Sequence, residues 1–355
     1  MGLKNYNMNK ITFCIPSKNN LRYLKSSIVS IKKNSLLENE IIVWVDSDND
    51  GTEDWLKKNN IKYLLNPKDS PQGIAAGYNR CIEAAENEIV CMFHADMFMG
   101  KGFDKNLIKH LKPNLVISGT RIEPPLHPPT KEKIIKDFGL YPEDFKEKEF
   151  NEFVEKTKKE QEDKITYGIF APWACFKSKI LQIGMHDEKF HSYHEDSDIF
   201  QRFLLKGMKV IQSRDALVYH LTCRGGKWID GIEQVTNDYK FHSMTKRAQK
   251  HYLKKWGSWI KNDEYQHPIL SPVYRKKIII NNENVNLFSL YDWFNGGEDI
   301  IVTINGNIFT QQDFQYITQL NDIIADSGEI GEFKLGNINV KINKIEDISN
   351  QLIKI

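Results

Sequence analysis

Four groups of polar side chains stand out, three of them directly after apolar runs. They are Asp46 to Asp50 in Val45-Asp46-Ser47-Asp48-Asn49-Asp50-Gly51-Thr52, His94 and Asp96 in His94-Ala95-Asp96, the run Glu195-Asp196-Ser197-Asp198, and His220. Carboxylates and imidazoles hold divalent cations and move protons near neutral pH. Oxygen ligands suit Mg²⁺ or Mn²⁺, and an added imidazole nitrogen tilts the choice towards Mn²⁺. A fixed carboxylate beside a hydroxyl can serve as a general base. Each group also has a plainer reading. Asp48 and Asp50 suit an Asx turn around Gly51. Acids at 195–198 suit the positive end of a helix. His94 and His220 could be buried histidines satisfied by backbone groups.

The elements around these residues decide whether they can meet. Ile89 to Met99 is a short apolar run rich in β-branched and aromatic residues, read as a strand buried on both faces. His94 and Asp96 stand at its carboxyl end, where open α/β sheets bind ligands, and their spacing puts both on one side of an extended chain. Upstream, Ile11 to Ile15 reads as a strand stopped by Pro16. A helix carrying Leu21, Leu24, Ile28 and Ile31 on one face follows. Strands at 41–45 and 61–65 flank a helix from about 53 to 59, and Gly73 opens a small-residue helix through Ala84 and Ala85. This alternation predicts an α/β fold with a mostly parallel central sheet flanked by helices.

Downstream, a helix at 103–111 and a strand at 115–119 precede the proline-rich Thr120 to Pro129, expected to be irregular. Residues 131–164 read as a solvated helical insertion, with a lid over the cleft as the alternative. Residues 209–212 and 216–220 read as two strands, and Thr222 to Lys227 as a basic loop with Gly225-Gly226 as its hinge. A long basic helix is expected over about 233–256, a scaffold with a solvated face or a site of peripheral contact with anionic lipid. The remainder reads as two hairpins, the first turning at Asn305-Gly306, around a helix starting at Thr310. The expected division is a main domain over 1–265 and a small α+β domain of unassigned role over 266–355.

Composition narrows the class. In 355 residues the formal net charge is +2, with 40% hydrophobic and 27% charged residues. Near-neutrality argues against a nucleic-acid partner. No apolar run approaches a bilayer-spanning length, and the first residues lack the apolar core of a signal peptide. The 5 cysteines are scattered with no CxxC pair, which fits reduced thiols and a cytoplasmic setting. Oligomeric state is open.

The order of these motifs resembles the family 2 glycosyltransferases with the GT-A fold. The carrying stretches are Ile15-Pro16-Ser17-Lys18-Asn19, Val45 to Thr52, Gly73 to Arg80, His94-Ala95-Asp96, Glu195-Asp196-Ser197-Asp198 with Arg202, and Tyr252-Leu253-Lys254-Lys255-Trp256-Gly257. The resemblance covers roughly residues 10 to 260. It implies an inverting, metal-dependent transfer from a nucleotide-diphosphate sugar, UDP-sugar favoured, to a hydroxyl of a glycan or related acceptor, of the hexosyltransferase type found in polysaccharide biosynthesis. It implies Asp196 as general base beside Glu195, and Asp96 with His220 on the Mn²⁺ or Mg²⁺ ion. His94 stands where the family usually has the first acid of Asp-X-Asp, and would join the metal or bind ribose. Donor-side residues are then Pro16, Ser17, Asn19, Asp46, Asp48, Gly73, Asn79, Arg80, His94, Ala95, Arg224 and Lys227. Arg121, Glu123 and Trp173 are acceptor-side candidates. Two rivals remain: a non-catalytic nucleotide- or sugar-binding module, kept alive by His94, and a sugar-phosphate nucleotidyltransferase, opposed by the lack of a glycine- and arginine-rich loop after the first strand.

Overall fold

The computed structural model describes residues 10–222 without a break, then 228–229, 232–233, 247–249, 251–252, 255–256, 260–269, and strand residues 276–280, 300–304, 307–308, 332–335 and 338–341. The chain divides into two units, 1–242 with 262–269, and 243–261 with 270–355.

The first unit begins with β1 (Ile11–Lys18), α1 (Leu21–Asn34), β2 (Glu40–Ser47), α2 (Thr52–Lys58), β3 (Lys62–Leu65), α3 (Ile74–Ala84) and β4 (Ile89–Met92). It continues with β5 (Met97–Met99), α4 (Phe103–Ile108), β6 (Leu115–Glu123), β7 (Ile134–Ile135), α5 (Glu147–Glu160), β8 (Ile165–Thr166), β9 (Trp173–Phe176), α6 (Lys177–Gln182), α7 (Glu195–Leu205) and β10 (Lys209–His220). The sheet order is β3-β2-β1-β4-β9-β6-β10-β5, with β7 beside β6 and β8 beside β10. The first four strands are parallel, as are β6 and β10, while β9 and β5 run antiparallel to their neighbours. The mixed α/β sheet flanked by helices is thus present.

Burial explains the strand runs. Ile11, Phe13, Cys14 and Ile15 of β1 are fully buried, as are all four residues of β4. Leu21, Leu24, Ile28 and Ile31 form the buried stripe of α1. Small residues let α3 lie close to the sheet: a Cβ on Gly77 would stand 2.7 Å from Trp44 and 2.9 Å from Pro16. Pro16 does not stop β1 as expected. Cys14 O still accepts from Phe93 N at 3.0 Å on the β4 side. Pro16 shares that parity beyond the end of the β1–β4 ladder, so its missing N–H removes no sheet bond.

Other sequence boundaries shift for similar reasons. Residues 120–123 extend β6, because Leu217, Val218 and Tyr219 of β10 pair with Thr120, Arg121 and Ile122; the irregular stretch begins only at Pro124. The two strands expected at 209–220 are one strand with a register irregularity between Gln212 and Leu217. The segment 131–164 is helical only over α5, and it is more than a solvated face. Phe138, Phe150 and Val154 pack with Phe98, Leu217 and Tyr219 in a second core. The Tyr219 hydroxyl donates to Gly139 O at 2.7 Å and accepts from Phe138 N at 3.0 Å.

Trp228–Ile229 (β11) and Ile232–Glu233 (β12) pair antiparallel, so the basic helix does not start at 233. Residues 247–249, 251–252 and 255–256 are helical, with Tyr252 and Trp256 buried. The second unit has a five-stranded sheet of β13 (Lys276–Ile280), β14 (Ile300–Ile304), β15 (Asn307–Ile308), β16 (Glu332–Leu335) and β17 (Ile338–Lys341), in the order β15-β14-β13-β17-β16. Both expected hairpin pairings are present. The turn at Asn305-Gly306 and the helix from Thr310 lie outside the described residues. Among the described residues, no helix is long and apolar enough to cross a membrane.

Candidate active site

His94 and Asp96 are not on one extended strand. β4 ends at Met92, and β5 belongs to the far edge of the sheet, with three strands between them. The turn Phe93–Asp96 between them brings His94 and Asp96 towards the end of β10. Leu221 N donates to Asp96 O at 3.1 Å. α1 braces the same segment: Ser27 Oγ donates to His94 O at 3.4 Å, Met99 N donates to Ser30 Oγ at 2.9 Å, and Asn34 Nδ2 donates to Met99 O at 2.6 Å.

One ligand atom each from His94, Asp96 and His220 lie within 4.8 Å of one another. His220 Nε2 is 3.4 Å from Asp96 Oδ1. Two cis ligands at ~2.1 Å from a cation stand roughly 3 Å apart, so small side-chain adjustments would close this set around an ion. Two imidazole nitrogens and a carboxylate oxygen suit Mn²⁺ better than Mg²⁺. Burial and the neighbouring His220 charge lower His94 to about 4, leaving its imidazole neutral with a lone pair to donate. For His220 burial works against the charge, but Asp96 and Glu123 outweigh it and raise the ring to about 9.

Behind His220 lies a buried ionic network. His220 Nδ1 is 2.9 Å from Glu123 Oε1. Glu123 also meets Arg121 at 3.0 Å and Lys133 at 2.9 Å, and Arg121 meets Glu132 at 2.7 Å. Burial alone would raise the Glu123 carboxyl; Arg121, His220 and Lys133 reverse that and hold it far below the usual range. Arg121 also lies 5.1 Å over the Phe170 ring. Arg121 and Glu123 are therefore engaged with each other and with this network.

Glu195 and Asp196 open α7 after two residues at positive φ, Tyr193 and His194. Glu195 is buried, and its Oε2 has no hydrogen-bond partner. Burial and the adjacent Asp196 raise it to about 8. Asp196 is half-buried, accepts from Ser197 N at 2.6 Å, and is raised mainly by burial, with Arg121 pulling the other way. The Arg121 charge thus reaches both Asp196 and His94. Asp198 is fully buried and pairs with Arg202 at 2.8 Å, a helix-stabilising role.

The donor-side candidates divide. Asp46 ends β2 with a fixed carboxylate that accepts from Gln72 N at 2.7 Å, Gly73 N at 2.9 Å and Asn66 Nδ2 at 3.1 Å. Ser17, buried, donates to Asn20 Oδ1, and Asn19 accepts from Asn49 N at 2.8 Å, joining the ends of β1 and β2 beside Pro16. Gly73 adopts φ +89, and a Cβ there would stand 2.1 Å from His191 O. Ala95 is buried in the turn. Asp48 accepts from Thr52 N and Glu53 N and caps α2, while Asp50 accepts from Leu21 N and caps α1. Asn79 bonds both backbone groups of His186 and Glu188, and Arg80 pairs with Glu83 and Glu188, so neither is brought to the cluster. Trp173 is buried against His186, Phe200 and Phe203, which leaves no open ring face for a sugar. Arg224 and Lys227 lie outside the described residues.

Sequence reading missed Lys133, Glu132 and Tyr78. Lys133 and Glu132 were hidden in a charge-rich insertion. Tyr78, buried on α3, has no hydrogen-bond partner for its hydroxyl and feels the charges of Glu195 and Asp196; nothing in a helix pattern marks such a side chain.

The site thus sets acids and histidines at the strand and helix ends of a mixed α/β sheet. Residues 12–182 match the model for "Glycosyl transferase family 2". Among curated proteins no sequence matches the chain. Solved structures similar to it include GalNAc-T7 with UDP, GalNAc and Mn²⁺, at 13% identity and TM-score 0.49 over 73% of this chain and 49% of that one. S. aureus TarS 1–349 is similar at 14% identity and TM-score 0.44, over 59% of this chain and 60% of that one. The same protein in complex with UDP gives 13%, 0.43, 69% and 65%. The chain thus spans about half to two thirds of the length of these structures.

Proposed function

We propose that the chain transfers a sugar from a nucleoside diphosphate sugar, a UDP-sugar in the first instance, to a hydroxyl of a glycan or related acceptor. The observation that carries this reading is the convergence of His94, Asp96 and His220 in a chain whose residues 12–182 match the family 2 model. These three residues would hold Mn²⁺, which when bound stabilises the departing diphosphate as a Lewis acid. Asp46, with Pro16 and Ser17, lines the nucleobase pocket. Its carboxylate has about four acceptor positions, of which three are used by Gln72, Gly73 and Asn66, leaving about one for a base N–H.

Asp196 takes the proton from the acceptor hydroxyl. The acceptor oxygen bonds to the anomeric carbon as the bond from that carbon to the diphosphate oxygen breaks, and the electron pair leaves with the nucleoside diphosphate. One displacement with one base inverts the anomeric centre. Burial raises both carboxyls of the pair, which keeps a proton on the pair and one carboxylate available as base. Arg224 and Lys227 supply the phosphate-side cations in this reading. The buried free thiols of Cys14, Cys81, Cys91 and Cys175 are consistent with a cytoplasmic setting.

The test is nucleotide release with Mn²⁺ and a panel of UDP-, GDP- and other nucleotide sugars. Asp196→Asn is expected to lower turnover by roughly 10²–10⁴-fold with donor binding intact. Asp96→Ala is expected to weaken metal-dependent donor binding. Full turnover in Asp196→Asn would remove the base assignment.

A further inference from the structure

The structure assigns Glu123 as a positioning residue of the metal centre: its carboxylate holds Nδ1 of His220 and so aims Nε2 at the cation, while Arg121 and Lys133 hold Glu123. This inference rests on the metal-site reading above and goes beyond it.

The register makes the pairing. β6 and β10 run parallel with Leu217 beside Thr120, Val218 beside Arg121 and Tyr219 beside Ile122. The next step sets His220 beside Glu123, the last residues of their strands. Nδ1 then faces Glu123 at 2.9 Å while Nε2 faces Asp96 at 3.4 Å. The two ring nitrogens are divided between a purely structural acceptor and the ligand cluster. An imidazole can turn over about its Cβ–Cγ bond, which exchanges the positions of its nitrogens. A fixed acceptor at Nδ1 keeps a proton there and presents Nε2 to a cation, which takes the place of the other ring proton.

Glu123 can do this only if it is itself fixed. It is 2% exposed, and its oxygens are shared among His220, Arg121 and Lys133. Lys133 comes from the segment between β6 and α5, and its side chain is 6% exposed. Lys136 N donates to Glu123 O at 2.9 Å, and β7 pairs with the end of β6. The insertion after Pro129 therefore clamps Glu123 from both its backbone and its side chain. A simpler role for Glu123 would be to neutralise Arg121 and Lys133. That role predicts a loss of stability with no specific loss at His220, and the two readings separate experimentally.

The experiment measures Mn²⁺ binding to the full chain from the electron paramagnetic resonance of free Mn²⁺, with no sugar nucleotide present. Glu123→Gln is expected to weaken Mn²⁺ binding by roughly 10–100-fold, measured on protein whose melting curve shows it folded. In a His220→Ala background the same substitution is expected to change the remaining affinity by less than about twofold, because the residue it acts through is gone. Unaltered affinity in Glu123→Gln, or an equal loss in both backgrounds, would overturn the inference and leave the metal site standing. No Mn²⁺ binding by the unaltered chain would overturn both. A second measurement needs no variant at position 123. In ¹⁵N-histidine-labelled protein loaded with Cd²⁺, Nε2 of His220 is expected to take the coordination shift while Nδ1 keeps its proton. A coordination shift at Nδ1 would overturn the inference.

Discussion

Replacing Glu195 by glutamine is expected to flatten part of the pH dependence of stability. Glu195 is buried at the start of α7, one carboxyl oxygen has no partner, and burial with the adjacent Asp196 raises it from 4.5 to about 8. Between these two values the folded chain keeps the proton on Glu195 and the unfolded chain has released it. The folded state then binds more protons than the unfolded state, so stability falls as pH rises through this window. With those two values the loss between pH 5 and pH 9 is about 4 kcal/mol. Glutamine has the shape of the protonated acid and does not titrate. Glu195→Gln should therefore match the parent near pH 5 and exceed it by about 4 kcal/mol at pH 9. Urea unfolding at pH 5, 7 and 9 reads this difference. With a slope of roughly 1–3 kcal/mol/M, the midpoints should separate by more than about 1 M at pH 9. Titrating groups remote from the pair cancel in the comparison of the two proteins, and Asp196, coupled to Glu195, is the one that does not. Midpoints separated by the same amount at pH 5 and pH 9 would refute a protonated Glu195.

Gly73→Ala should destabilise the first unit by about 2 kcal/mol or more, since it adds left-handed strain to a clash with His191 O, 2.1 Å from the new Cβ; thermal melting would show it, and an unchanged melting temperature would contradict the geometry at the start of α3. Tyr219→Phe should cost about 1–3 kcal/mol by leaving Phe138 N and Gly139 O without their shared hydroxyl. It should also raise protease sensitivity in the 131–146 segment, which limited proteolysis followed by mass spectrometry would map.

The strands and helices around the site were legible because their signals are local. Continuous apolar runs marked β1, β2 and β4, and helical spacing marked α1. The acid run at 195–198 announced a helix start, which is where α7 begins. Gly51 and the acids around it announced a turn, and Asp48 does cap α2 there, while Asp50 caps α1 through a tertiary contact that a local pattern does not mark. Boundaries failed where a partner strand decided them. Pro16 lies inside β1 because the neighbour on its bare side has already ended, and Thr120 to Glu123 stay in β6 because β10 runs beside them.

The sequence by itself determined which groups could do chemistry: Asp96 and His220 as ligand types, Asp196 as an acid beside another acid, Asp46 at a strand end. Residue type and position after an apolar run suffice for that, since both are properties of a short stretch of chain. Only the tertiary structure decided how those groups meet. His94 and Asp96 converge through a turn between a central strand and an edge strand, not along one strand, and they meet His220 from more than a hundred residues further on. Parallel register alone put Glu123 against His220, 2.9 Å from its Nδ1. Likewise, packing put Trp173 in the core and brought Lys133 out of a charge-rich insertion into a buried ion pair. Hydrophobic patterning records which face of an element is buried; it holds no information on which two distant side chains share that burial.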